Sequence, residues 1–129
     1  MLAWWAYNEE KQQLIPLDVT LEIEHIFSRK RQENERSLTD KNSLESLGNK
    51  ALLEKSINIR ASDYRFADKK KYYIGFTNDK GKVKDGTKII ELAEMATKQD
   101  DFAESNIINR KKEIIDAFIE YLELNQLTV

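Results

Sequence analysis

The chain has no cysteine and a single histidine in 129 residues. The missing cysteines exclude disulfides, thiolate zinc sites and a cysteine nucleophile. One histidine excludes clusters of imidazole ligands. Any bound metal would therefore be held mainly by oxygen atoms, which favours magnesium, manganese or calcium. No apolar run reaches the roughly 20 residues needed to span a membrane. The opening Met1-Leu2-Ala3-Trp4-Trp5-Ala6-Tyr7 is apolar but short, with no basic leader and no cleavage site, so it does not read as a signal peptide. A cytoplasmic protein is expected. The aromatic start has no polar lead-in, which reads as an element cut from a longer protein. Internal repeats and low-complexity tracts are absent from the sequence.

Hydrophobic residues make up 40% and charged residues 34%. That balance fits a folded soluble domain, and the length suits one domain, 1–129, rather than two. The net charge of −2 hides an uneven distribution. Residues 1–28 hold one basic and five acidic side chains, residues 29–88 hold 16 and 9, and residues 89–129 hold 4 and 9. A basic centre between acidic flanks suits a polyanion, because phosphate contacts supply most non-specific nucleic-acid affinity. Charge runs are more often solvated faces, so this signal needs a motif beside it.

Periodicity sets out the elements. Residues 2–13 predict a short helix ending before Pro16. Val19, Leu21 and Ile23 alternate with Thr20, Glu22 and Glu24, which is strand spacing. Residues 28–43 are polar without period and read as a long loop. A helical turn over Ser43–Leu47, stopped by Gly48, precedes a second strand near 49–54. Ser62 is a plausible N-cap for a helix to about Ile74, ending near Gly75. Asn78-Asp79-Lys80-Gly81 and Asp85-Gly86 are turn chemistry. Thr87 reads as the N-cap of a helix over Lys88–Lys98. The longest helical pattern runs from Asp100 or Asp101 to Leu124, with Ile107, Ile108, Ile114, Ile115, Phe118, Ile119 and Leu122 at three-and-four spacing. The expectation is a mainly helical α+β domain in which a two-stranded ribbon is followed by a helix.

The residues that carry chemistry lie on that ribbon–helix unit. Hydrolysis of a phosphodiester needs an activated water, charge relief on the phosphate and a stabilised leaving oxygen. A histidine near neutral pKa accepts the water's proton, and His25 is the only one available. One divalent ion serves as Lewis acid. Such an ion takes a carboxylate and neutral oxygen donors, which Glu24 and Asn58 provide. Asn49 can orient the histidine or brace the loop through backbone hydrogen bonds. Glu22 shares Glu24's side of a regular strand and is a candidate supporting acid. Adjacent strand residues point to opposite faces, so Glu24 and His25 serve one site only if the strand ends or bulges there. Arg29, Lys30, Arg31, Lys50, Arg60, Lys69 and Lys70 are candidate phosphate contacts. Tyr72 and Tyr73 could stack on bases, but core packing is the safer reading, as it is for Trp4 and Trp5.

Glu24-His25-Ile26, then Gly48-Asn49 with Leu52-Leu53, then Asn58 with Ser62, Phe66 and Lys69, resembles the HNH, or His-Me finger, endonucleases. Within them it is similar to the C-terminal nuclease domain of GmrSD-like modification-dependent (type IV) restriction proteins. The likeness is strong over 20–73 and looser over the later helix with Ile107, Ile108, Arg110, Ile114 and Phe118. It departs where the family often has a proline two residues after the histidine; here Phe27-Ser28 stand. The resemblance implies a ββα-metal finger core at about 19–74 with flanking helices and a C-terminal helical part at about 86–125. It also implies His25 as general base, Asn49 as orienting asparagine, Glu24 and Asn58 as ligands of one Mg2+ or Mn2+, and DNA as substrate. A separate N-terminal NTP-using domain would supply recognition in a restriction or antiviral role. The alternatives are an inactive nucleic-acid-binding or protein-interaction module on the same fold, and an RNA-cleaving nuclease.

Overall fold

The structure, a computed structural model, describes residues 1–126. The helices are α1 Leu2–Tyr7, α2 Arg29–Glu35, α3 Lys55–Ala61, α4 Phe66–Ile74, α5 Ile90–Lys98 and α6 Glu104–Leu124. Strands β1 Leu21–His25 and β2 Lys50–Glu54 form one antiparallel ribbon, and β3 Gly75–Thr77 and β4 Val83–Asp85 form another. The fold is therefore α+β and mainly helical, as the periodicities suggest. No helix among the described residues is long and apolar enough to cross a membrane.

In the first ribbon Glu24 lies opposite Ala51, and His25 opposite Lys50. The alternation that predicts β1 is real, but its faces are inverted. Ile23 is 55% exposed and Glu24 only 4%. The buried face meets α4, where Tyr73 and Lys69 give the acid polar partners, so burying a carboxylate there is tolerated. Ile26 and Phe27, directly after the strand, enter the core with Leu53, Phe66, Leu92 and Phe102.

Residues 28–43 are not a continuous loop, because α2 occupies their first half. Its sequence, RKRQENE, contains no apolar residue. The helix instead starts on Ser28, whose hydroxyl accepts the Arg31 N–H at 3.0 Å. It packs through Arg31, whose guanidinium lies 4.3 Å from the Phe27 ring centre. Ser62 is not an N-cap. It is the C-cap of α3, at φ 48°, and α4 starts only at Phe66. The N-terminal helix stops at Tyr7, well before Pro16. Residues 83–85, read as turn, pair with 75–77 in a hairpin. Helix α5 begins at Ile90, and Thr87 Oγ1 accepts from the Ile89 N–H while donating to Glu54 at 2.6 Å. The first N–H of α5, at Ile90, is satisfied from a distance by the Gln12 side chain.

Helix α6 closes the molecule over the turn at Leu47–Asn49. A Cβ on Gly48 would lie 2.0 Å from the Ile107 carbonyl oxygen, so only glycine permits this approach. Buried Arg110 locks the contact. It donates to the carbonyls of Gly48 and Lys50 at 3.1 and 2.7 Å and forks onto Glu91 of α5 at 2.8 and 2.8 Å.

Candidate active site

β1 ends at His25, and the end of the strand is what lets two neighbours reach one place. Ile23, Glu24, His25, Ser28 and Arg29 line one side of a cleft of about 380 Å3, and Asn58, Ser62, Asp63 and Lys69 complete it. The three residues on which the metal-dependent reading depends thus border a common space.

Each is held by a different element. His25 is part-buried, and its Nε2 sits 3.1 Å from both carboxylate oxygens of Glu45. A neutral imidazole in that contact carries its proton on Nε2, which leaves the Nδ1 lone pair free to accept. Glu45 also receives Arg29 at 3.0 Å and Lys50 at 3.2 Å. These donors, His25 foremost and then Lys50 and Arg29, hold the Glu45 carboxyl well below its usual range, at about 2.

Glu24 uses one oxygen inward. Oε2 accepts the Tyr73 hydroxyl at 2.7 Å and the Lys69 ammonium at 3.3 Å, while Oε1 receives no hydrogen bond among the described residues. Burial pushes the Lys69 ammonium below the usual lysine range, against the pull of Glu24. Burial and the Glu24 charge together raise the Tyr73 phenol well above 10. Lys69 Nζ also donates to the His25 carbonyl at 2.8 Å, so one buried ammonium fixes both neighbouring residues. On α3, the Asn58 amide nitrogen donates to Glu22 at 3.1 Å. Glu22 therefore orients the Asn58 side chain, whose Oδ1 is left without a protein donor among the described residues, while the backbone carbonyl accepts the Ser62 N–H.

The free oxygens of Glu24 and Asn58 are the hard donors that a small divalent cation accepts. No group of three or more His, Cys, Asp or Glu side chains converges among the described residues. Glu24 and Asn58 by themselves would offer such an ion two protein oxygens, and water would have to fill its remaining positions.

Asn49 is fully buried and does not reach the imidazole. Its Oδ1 accepts the Phe27 N–H at 2.7 Å, and its Nδ2 donates to the carbonyls of Phe27 and Leu44 at 2.9 and 2.8 Å. It braces the chain after His25 against the residue before Glu45. Of the two roles open to Asn49 among the candidate catalytic residues, orienting the histidine or bracing the loop, its contacts are those of the brace. Two of the expected phosphate contacts also fail. Arg31 is 5% exposed and engaged with Glu35, Asp101 and the Phe102 carbonyl. Lys69 is 0% exposed. The charges of both are neutralised inside the fold. Arg29, Lys30 and Arg60 remain exposed. Lys50 and Lys70 are half-buried, Lys70 lying 3.8 Å from Asp100. Glu45 is the residue that sequence reasoning misses. No spacing rule links position 45 to position 25, and the acid lies in an irregular segment. Phe27 and Ser28, where the family proline is expected, are held by Asn49 and by a Ser28 hydroxyl donating to the Asp63 carbonyl at 2.8 Å.

No curated protein and no solved structure matches the chain. A family profile described as GmrSD restriction endonucleases, C-terminal domain, matches residues 2–117. That span takes in the cleft, both strands that frame it and most of α6, and the chain belongs to the family of GmrSD restriction endonuclease C-terminal domains.

Proposed function

We propose that this domain is an HNH-type, metal-dependent endonuclease that hydrolyses DNA phosphodiester bonds. The observation that carries the reading is the meeting of Glu24, His25 and Asn58 at one cleft, with an acceptor nitrogen and two free oxygens available. His25 Nδ1 takes a proton from the attacking water. Glu45 keeps the opposite nitrogen protonated and the ring fixed, and Asn49 keeps Glu45 in place through Leu44. Glu24 Oε1 and Asn58 Oδ1 would hold one Mg2+ or Mn2+. Bound there, such an ion relieves charge on the phosphate and stabilises the leaving oxygen. Lys69 and Tyr73 set the Glu24 carboxylate so that its free oxygen is the one available. Arg29 borders the cleft, and Lys30, Lys50, Arg60 and Lys70 are the further cations offered to the DNA backbone. In a restriction protein of this family the recognition and NTP-using functions reside in an N-terminal region, and the domain acts in the cytoplasm as the cutting part of an antiviral system.

Incubating the domain with supercoiled plasmid in Mg2+, Mn2+ or EDTA tests the reading. Nicking that requires the metal is expected. His25→Ala should abolish it with the thermal midpoint unchanged, and undiminished nicking by that variant would remove the assignment. RNA offered in parallel distinguishes the substrate.

A further inference from the structure

A second cleft of about 340 Å3 opens on the other side of α3. It is lined by Ser56, Ile57 and Arg60 of α3, by Lys82 to Asp85 of the β3–β4 hairpin, and by Gly86, Lys88, Val19 and Glu54. Four of these residues are cations: Arg60, Lys82, Lys84 and Lys88. None has an ion-pair partner within 4.0 Å among the described residues. Of the two acids at the cleft, Glu54 is buried and engaged, accepting from the Thr87 hydroxyl and the Lys88 N–H. Asp85 is the other, and it is exposed.

Local contacts shape the hairpin that carries Lys82 and Lys84. Asn78 Oδ1 accepts from the N–H groups of Lys80 and Lys82, and Gly81 turns the chain at φ 76°. At the base, a Cβ on Gly86 would lie 2.3 Å from the Ile74 carbonyl oxygen, which ties the hairpin to the end of α4. The two-residue strand period places Lys82 and Lys84 on one face. The charges crowd one another, since Lys82 first, and Arg60 after it, hold the Lys84 ammonium below the usual lysine range. A solvated charge run lies along one element. Here three separate parts of the chain bring like charges to one concave place, which makes that place attractive to an anion.

We infer that this cleft binds the phosphate backbone of the nucleic acid and anchors it to one side of the reacting bond. The inference rests on the nuclease reading for the identity of the polyanion. Helix α3 supplies both clefts, with Asn58 and Ser62 on one and Ser56, Ile57 and Arg60 on the other. With its side chains an α-helix is about 10–12 Å across. At about 3.4 Å per nucleotide along one strand, the two clefts lie within a few phosphates of each other. The contact carries no base information and should be indifferent to sequence.

The test measures binding of a fluorescent mixed-sequence duplex in EDTA, over a series of salt concentrations, in the His25→Ala background so that no cleavage intervenes. Lys82→Ala with Lys84→Ala should weaken binding about tenfold. It should also lower the slope of log affinity against log salt by about 2, one unit for each lost phosphate contact. The pair Lys111→Ala with Lys112→Ala, exposed on α6 and part of neither cleft, should leave both unchanged. Unaltered affinity and slope in the Lys82/Lys84 variant would overturn the inference, and so would an equal loss in the Lys111/Lys112 control. Absence of any duplex binding by the parent would overturn it too. If the wild type fails to nick plasmid and the cleft variant still loses affinity as stated, the nuclease reading fails while the cleft stands.

Discussion

His25 depends on a residue that lies outside every motif. Glu45 meets its ring through two 3.1 Å contacts and is itself steadied by Arg29 and Lys50. Replacing that carboxylate by an amide keeps the size but lets an amide N–H donate to Nε2. The imidazole then carries its proton on Nδ1, the atom that accepts one in the proposed mechanism. Glu45→Gln is therefore expected to lower kcat by roughly 10- to 100-fold with little change in KM, the range seen when groups supporting a reactive side chain are removed. Steady-state cleavage of a short duplex checks it, and an unchanged kcat would show that the contact does no catalytic positioning. The motif residues themselves, Glu24, His25, Asn49 and Asn58, were legible because their types and order match a known pattern. Arg31 and Lys69 were misread for one shared reason. A cation in a sequence looks solvated unless its acid is visible, and their acids are 70 and 45 positions away at Asp101 and Glu24.

Elements were legible in proportion to how far apolar side chains define them. The ribbon β1–β2 and helix α6 follow alternation and three-and-four spacing, and both are found. Helix α2 escaped because its inward residue is an arginine, and hydrophobic periodicity does not register a guanidinium packed on phenylalanine. Strands β3 and β4 escaped because three residues are too few to show a period. The turn that carries Asn49 depends on a glycine for a tertiary reason. Gly48→Ala would drive a methyl into the Ile107 carbonyl, so α6 must lift or the turn must shift. Overpacking of this kind costs about 1–3 kcal/mol. Urea unfolding should show that loss, and an unchanged midpoint would mean the helix does not close as tightly as described. Because Asn49 and Leu44 move with the turn, cleavage should fall as well.

Across the whole molecule, the segment that brings Glu45 to His25 is pinned from opposite sides. Asn49 holds the Leu44 carbonyl. Glu104, in the first turn of α6, accepts from the Thr39 hydroxyl and N–H, the Asp40 N–H and the Ser43 hydroxyl. Those bonds, the Thr39 hydroxyl foremost, hold the Glu104 carboxyl down at about 2 against an ordinary value of 4.5. A carboxyl depressed on folding stabilises the fold above its unfolded value and loses that contribution as pH falls through its folded one. The pinning should therefore be complete above pH 4.5 and weaken towards pH 2. Protection factors of the amides over residues 39–45, exchange rates corrected for the intrinsic rate at each pH, should fall in the wild type down that range and already be low and flatter with pH in Glu104→Gln. Protection in Glu104→Gln equal to the wild type at pH 5 would refute the role. The sequence alone determined the class of fold, the ribbon–helix unit and which three motif residues, Glu24, His25 and Asn58, would be candidates for one cleft, since periodicity and motif order are local properties of a chain. The tertiary structure decided which acid serves the histidine, which cations stay outside and which are neutralised within, and where the second basic cleft forms. Those outcomes depend on side chains that are distant in sequence and meet only when the helices close on the ribbon.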